Sequence, residues 1–185
     1  MLKIKNPYTK HGIWPIPDYL SPESKAFYEE HNRKVLARKE RLAAERKERA
    51  AQRKADNEGI LDKVKVGDVF SCSWGYEQTN VDFFQVIEKV GKNSVRIKEV
   101  CPPILDDHGT GPFSADRTYD IPSDGTLLPV KSFSVHIKDQ KNGDVKRVQA
   151  AQYYEDKRPY IRIASYADAY LEKPGKSTHY ESWGY

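Results

Sequence analysis

Cysteine is nearly absent: Cys72 and Cys101 are the only two in 185 residues. Two thiols without C-x-x-C spacing read as free thiols of a cytoplasmic protein, not as a disulfide framework or a thiolate metal site. Long apolar runs are missing too. No stretch approaches the roughly 18 residues that a membrane helix needs. Residues 1–20 hold no apolar core followed by a small-residue cleavage site, so a secretory signal is not expected. The spacings that mark catalysis are also lacking, with no Walker loop, nucleophile elbow or dinucleotide fingerprint. None of the five histidines, His11, His31, His108, His136 and His179, has an H-x-x-x-H or similar metal-type partner. No enzyme class and no cofactor is expected. In "DDHG", Asp106, Asp107 and His108 have the donor types for a divalent ion. In a segment so rich in turn residues, the two carboxylates are expected to cap backbone amides instead.

What the chain does have is charge, unevenly placed. Its net charge is +4, yet residues 33–54, "RKVLARKERLAAERKERAAQRK", hold ten Lys/Arg against three Glu, a net of +7. The rest of the chain therefore sums to −3, and a basic segment is joined to a mildly acidic body. Residues 22–58 are rich in Ala, Glu, Lys, Arg and Leu, the strong helix formers. Ser21 can accept from the free amides of a first turn, Pro22 suits the first helical position, and Gly59 is a plausible stop. Apolar positions seven apart, Val35 with Leu42 and Leu36 with Ala43 and Ala50, make only a narrow stripe. A long basic helix is expected, preceded by an extended segment over 1–21.

Residues 62–185 read as β-rich. Residues 69–74 alternate with Phe70, Cys72 and Trp74 on one face. Residues 81–90 are too apolar for one clean wet face, and "GKN" turns the chain into 94–100. Residues 131–138 alternate, which predicts a strand with Phe133, Val135 and Ile137 inward and Ser132, Ser134, His136 and Lys138 outward. "KNGD" is a hairpin signal leading into 145–150, and 160–164 adds another strand. Residues 101–130, loaded with Pro, Gly and Asp, predict an irregular excursion. The fold class is mainly β with an α-helical N-terminal extension: a small antiparallel barrel, SH3-like in preference to OB-like.

The stretch "GDVFSCSWGYEQTNVDFFQVIEKVGKNSVRIKEV" resembles a family of bacteriophage and mobile-element proteins through a WGYxQTNxxFFxV motif. Trp74, Gly75, Tyr76, Gln78, Thr79, Asn80, Phe83, Phe84 and Val86 carry the resemblance, and "IASYADAYLEKPGKSTHYESWGY" is similar to the family's ending. The resemblance implies a phage accessory protein in the host cytoplasm and supplies no activity. "SWGY" occurs at 73–76 and at 182–185, but the flanks differ, so chance similarity of two aromatic turns accounts for it better than an internal repeat. Trp183 and Tyr185 are expected to pack on the barrel.

Two function classes remain. The first is a non-enzymatic nucleic-acid binder. Its helix would meet phosphates through Arg38, Lys39, Arg46, Lys47, Arg53 and Lys54. The barrel's outer face would add Arg96, Lys98, Lys131, Lys138, Lys146, Arg147 and Arg162, with Tyr153, Tyr154 and Tyr160 nearby. Trp74, Tyr76, Gln78 and Asn80 form a candidate ligand or partner site, able to stack a base and bond its edge. The alternative is a protein-binding inhibitor of a host defence system, or an adaptor in phage development. The sequence does not choose between DNA, RNA and protein.

Overall fold

The computed structural model describes residues 12–183 and divides the chain into two compact units, 1–52 and 53–185. It is mainly β, with one N-terminal helix and a closed six-stranded antiparallel barrel of the small SH3-like or OB-like kind. Among the described residues, no helix is long and apolar enough to cross a membrane.

In the first unit, α1 (Pro22–Asp56) buries none of its residues. Its start is capped as the sequence suggests: Ser21 Oγ accepts the Ser24 amide at 3.3 Å. Residues 12–21 do not simply trail away. They fold back, and the Trp14 ring stacks on His31 at 3.6 Å with Tyr28 at its edge. Asn32 brackets the Trp14 backbone, accepting from its amide and donating to its carbonyl, both at 2.7 Å.

The second unit is built on β1 (Val69–Trp74), β2 (Asn80–Val90), β3 (Ser94–Val100), β6 (Asp144–Ala150), β7 (Pro159–Ala164) and β8 (Ala167–Leu171). Each pairs with the next, and β8 closes on β1. The barrel strands follow one another in chain order, with one excursion between β3 and β6 and without the Greek-key crossing of an OB-fold. Inside lie Phe70, Cys72, Phe84, Val86, Val95, Ile97, Val148 and Ile161.

The excursion between β3 and β6 is a correction to the expected irregular loop. It contains β4 (Ile104–Gly111) and β5 (Ser114–Ile121), which form a hairpin. The prolines punctuate these strands without interrupting them: Pro102 and Pro103 precede β4, Pro112 sits in the turn, and Pro122 follows β5. β9 (Gly175–Ser182) then pairs with β5 along eight residues and completes a second, three-stranded sheet. That sheet covers the outer wall of the barrel through Val69, Phe83, Val100, Tyr119 and Ile121. Hence Phe83 and Phe84 are both buried, and β2 lacks a wet face because each of its faces lines a core.

The strand expected over 131–138 does not form. Phe133 and Val135 are 75% and 60% exposed and His136 is buried, the reverse of the alternation reading, while Ile137 is inward and Ser132 and Lys138 outward as expected. The cause is local competition for backbone groups. Ser134 Oγ accepts the amides of His136 (3.1 Å) and Ile137 (2.8 Å) and donates to Glu99. The "KNGD" turn is present, with Gly143 at φ 75°. It does not join two paired strands, because β6 pairs with β3 and β7.

A short 3₁₀ turn, Ile60–Lys63, belongs to the barrel core: Ile60 is 2% and Val64 0% exposed. Asn57 Oδ1 accepts the Ala150 amide at 2.7 Å. A boundary at residue 62 therefore cuts through core residues. Burying one such aliphatic side chain is worth about 1.5–3 kcal/mol. A protein comprising 57–185 is expected to melt cooperatively, and one comprising 62–185 to melt lower by about 10 °C or more. Equal melting temperatures in a calorimetric scan would remove Ile60 and Leu61 from the core.

Candidate functional site

From Arg33 to Lys54 the cationic residues of α1 are all solvent-exposed. Glu30 engages Arg33 (2.5 Å) and Lys34 (3.3 Å), and Glu45 lies 3.6 Å from Arg41. Arg38, Lys39, Arg46, Lys47, Arg53 and Lys54 have no ion-pair partner among the described residues.

The barrel's outer wall is less uniformly basic than expected. Arg147 and Lys138 are exposed and Lys98 is half-exposed. Arg96 is held by Glu88 at 2.8 Å, and Arg162 is forked onto Asp168 at 2.8 and 3.2 Å. Lys146 turns toward Asp144 and the Ile163 carbonyl. Lys131 is not on this wall at all. The wall does gather aromatics: Tyr160 and Tyr170 are cross-strand partners with rings 5.8 Å apart, and Tyr154 meets Tyr170 at 5.4 Å. Tyr170 could be found only once β7 and β8 were paired. Tyr153 is almost fully exposed.

The four residues grouped around "WGYEQTN" do not converge. The Trp74 indole turns inward, donating to Asp82 Oδ2 at 2.5 Å, while Tyr76 is 100% exposed. Gln78 Nε2 donates to Asn80 Oδ1 at 3.2 Å, and the buried Asn80 Nδ2 has no partner among the described residues. Gly75, at φ 127°, is required here, because a Cβ would sit 1.9 Å from the Gln78 carbonyl oxygen. Thr79 and Ser182 exchange backbone hydrogen bonds, each 3.0 Å, and the Trp183 amide donates to the Phe113 carbonyl at 2.9 Å. Ser182 and Trp183 are thus tied to Thr79 and Phe113, while Trp74 turns inward. The Trp183 ring, 40% exposed, lies 5.2 Å from the Arg117 guanidinium. Tyr185 lies outside the described residues. Between these elements opens a groove of about 790 Å3, lined by Glu77, Gln78, Phe113, Tyr180 and Trp183 among others.

The strongest electrostatic feature is inside the barrel and has no signature in the sequence. Asp82 and Glu99 are both buried on the interior face of β2 and β3. Lys131 Nζ bridges them, at 2.7 Å from Asp82 Oδ1 and 2.6 Å from Glu99 Oε1. Burial alone would raise the Asp82 pKa, but the bond and charge of Lys131, helped by Trp74, leave it lowered. Lys131 is itself held well above its ordinary value, its two carboxylate partners outweighing burial. His136 Nε2 sits 3.2 Å from Asp82 Oδ2, off the line of a hydrogen bond, and has no other partner among the described residues. Cys72, opposite Asp82 in the β1–β2 register, has its thiol pKa pushed up to about 12 by burial, with the nearby carboxylates adding. It is therefore a poor nucleophile.

A second cluster has triad composition without triad geometry. Glu172 accepts from Ser71 and, at 2.8 Å, from Ser177. Ser177 Oγ and Glu172 Oε1 both approach the same His179 nitrogen, Nε2, at 3.0 and 3.5 Å. A proton relay needs serine at one ring nitrogen and the acid at the other. Burial pulls the Glu172 pKa upward, but bonds from His179, Ser71 and Ser177 outweigh it and lower the value to about 2. In "DDHG", Asp107 is taken by Arg117 at 3.0 Å and Asp106 pairs with exposed His108 at 2.8 Å. Among the described residues, no group of three His, Cys, Asp or Glu is arranged to hold a metal ion. Comparison of the chain with protein-family models, curated proteins and solved structures finds no match.

Two stability predictions rest on these clusters. Lys131→Met leaves two buried carboxylates uncompensated and is expected to cost about 3 kcal/mol. Adding Asp82→Asn and Glu99→Gln should recover most of that loss in urea titrations; a single variant as stable as the parent would show the bridge to be inert. Glu172, its folded pKa depressed from 4.5 to about 2, stabilises the fold above the unfolded value and loses that contribution as pH falls through this window. Glu172→Gln is expected to cost on the order of 2–3 kcal/mol at pH 7. The gap between the two proteins should close between pH 4.5 and about 2; a pH-independent gap would contradict the assignment.

Proposed function

We propose a non-enzymatic nucleic-acid-binding accessory protein, of the phage or mobile-element kind that the WGYxQTNxxFFxV resemblance implies, acting in the host cytoplasm. The observation that supports it is α1. This 35-residue helix buries no residue, the packing of its side chains described above is at its start, where Tyr28, His31 and Asn32 meet Trp14, and its basic stretch beyond carries +7. Such a surface attracts phosphates and gains from the release of their counterions. The barrel offers a separate surface, in which Lys98, Lys138 and Arg147 are accessible and Tyr154, Tyr160 and Tyr170 present rings that suit bases. Arg96 and Arg162 can contribute only by sharing their present carboxylate partners.

The aromatic groove favours a second reading. Phe113, Tyr180 and Trp183 beside Glu77 have the composition of a protein-binding patch. An inhibitor of a host defence protein, or a developmental adaptor, would use that surface and need no nucleic acid.

The two readings separate in a pulldown from host cells with and without nuclease, followed by a salt titration. A nucleic-acid binder loses affinity with a log–log slope of about −0.7 to −0.9 per phosphate contacted. Changing Arg38, Lys39, Arg46, Lys47, Arg53 and Lys54 together to Gln keeps helix propensity. The changed protein should fold normally, bind more weakly and show a shallower slope. A protein that binds neither duplex nor single strand at low salt ends this reading and puts the protein-binding one first.

A further inference from the structure

Charge along α1 is sorted by face. At about 100° per residue, Arg38, Arg49, Arg46, Lys39 and Lys47 fall, in that order, across one arc of about 180°. Glu40, Glu45 and Glu48 all fall in the other half. So do Arg33, Lys34 and Arg41, and these three are the cations that glutamates engage, through Glu30 and Glu45. These first five cations, and Arg53 and Lys54 in the same arc, have no ion-pair partner among the described residues. Neutralised charge is therefore on one side and open charge on the other.

The open half has a particular shape. Arg38 and Arg49 form one flank, Lys47 the other, and Lys39 and Arg46 lie between them. Residues 33–52 contain no aromatic side chain, so this surface cannot stack on unpaired bases. Cations on both flanks suit a ligand with phosphates on both sides of the helix. An α-helix with its side chains is about 10–12 Å across, and the major groove of B-form DNA is about 12 Å wide and walled by phosphates. The deep, narrow major groove of A-form RNA excludes such a helix.

Resting on the nucleic-acid reading above, we infer that residues 38–49 of α1, past the start of the helix where Trp14 packs on the same half through Tyr28, His31 and Asn32, lie in the major groove of double-stranded DNA with their cationic half inward and their glutamate half toward solvent. Arg38, Arg49 and Lys47 reach the two phosphate walls. Lys39 and Arg46 face the base edges. Residues 38–49 contain no Asn or Gln to read adenine, so binding depends little on sequence.

The test moves charge between faces at constant net charge. Ala43 and Ala50 lie in the cationic half, Ala44 and Ala51 in the other, and all four are exposed. Ala43→Glu with Ala50→Glu places carboxylates three or four residues from Lys39, Arg46 and Lys47, which supports the helix, so a loss of binding is not a loss of folding. Full-length parent, A43E/A50E and A44E/A51E proteins are titrated by fluorescence anisotropy with a 20-base-pair DNA duplex, the single strand and the matching RNA duplex. The parent should prefer the DNA duplex over both others. A43E/A50E should bind it about tenfold more weakly, with A44E/A51E within about twofold of the parent. Equal losses in the two variants, or a parent binding single strand or RNA duplex as tightly as the DNA duplex, overturn the groove assignment while the nucleic-acid reading stands. No binding to any of the three overturns both.

Discussion

Two carboxylates inside a barrel 185 residues cannot easily afford to destabilise make the Lys131 ammonium the contact on which the second unit turns. Asp82 and Glu99 are interior residues of adjacent strands, where an uncompensated charge costs several kcal/mol. Among the described residues, the cation that reaches both, Lys131, comes from outside the barrel strands. Its position holds the chain after β5 against the barrel: the Lys131 amide donates to the Glu99 carbonyl, Gln140 bonds the Glu99 backbone, and Ser134 bonds the Glu99 carboxylate. Once that segment is fixed, His136 and Ile137 pack into the barrel, with the His136 ring against Trp74 and Phe84.

A second constraint follows from β2. Its two faces serve two cores, the barrel interior through Phe84 and Val86 and the sheet-covered wall through Phe83. Buried Gln85 ties the crossing chain down, donating to the carbonyls of Gly67 and Thr126 and accepting the Leu128 amide, at 2.7–2.8 Å. Gly67 and Gly125 meet so closely there that a Cβ on Gly67 would lie 2.4 Å from the Gly125 Cα. The later part of the insertion is thus joined to the barrel by buried polar bonds as well as by apolar contact. This makes a cooperative unit of strands far apart in the chain.

Legibility in the sequence followed the range of the interactions. The cap at Ser21 and the alternation of 69–74 and 94–100 are local, and the structure has α1, β1 and β3 where they point. The run at 81–90 was apolar on both sides, a sign of two cores that alternation alone could not name. Lys131–Asp82 spans 49 residues and Ser71–Glu172 spans 101, and no short pattern encodes either. The misleading alternation of 131–138 shows the same limit: Ser134 and Lys131 answer to Glu99, not to their neighbours. Of the candidate sites, the cations of α1 at 38–54 were readable because no described residue covers them. The fate of Trp74, Arg96 and Arg162 depended on partners brought in by the fold.

The seam where β8 meets β1 has a kinetic meaning. Ser71 pairs with Tyr170, and Thr79 bridges Ser182, so both sheets are completed by residues 167–182. During synthesis the early strands can form hairpins, but neither the barrel nor the second sheet can close until that stretch has left the ribosome. Contacts of such long sequence separation slow folding. In the interval β1 presents an unpaired edge beside Phe70 and Val69. The growing chain is then exposed to wrong pairing with its neighbours on the same messenger.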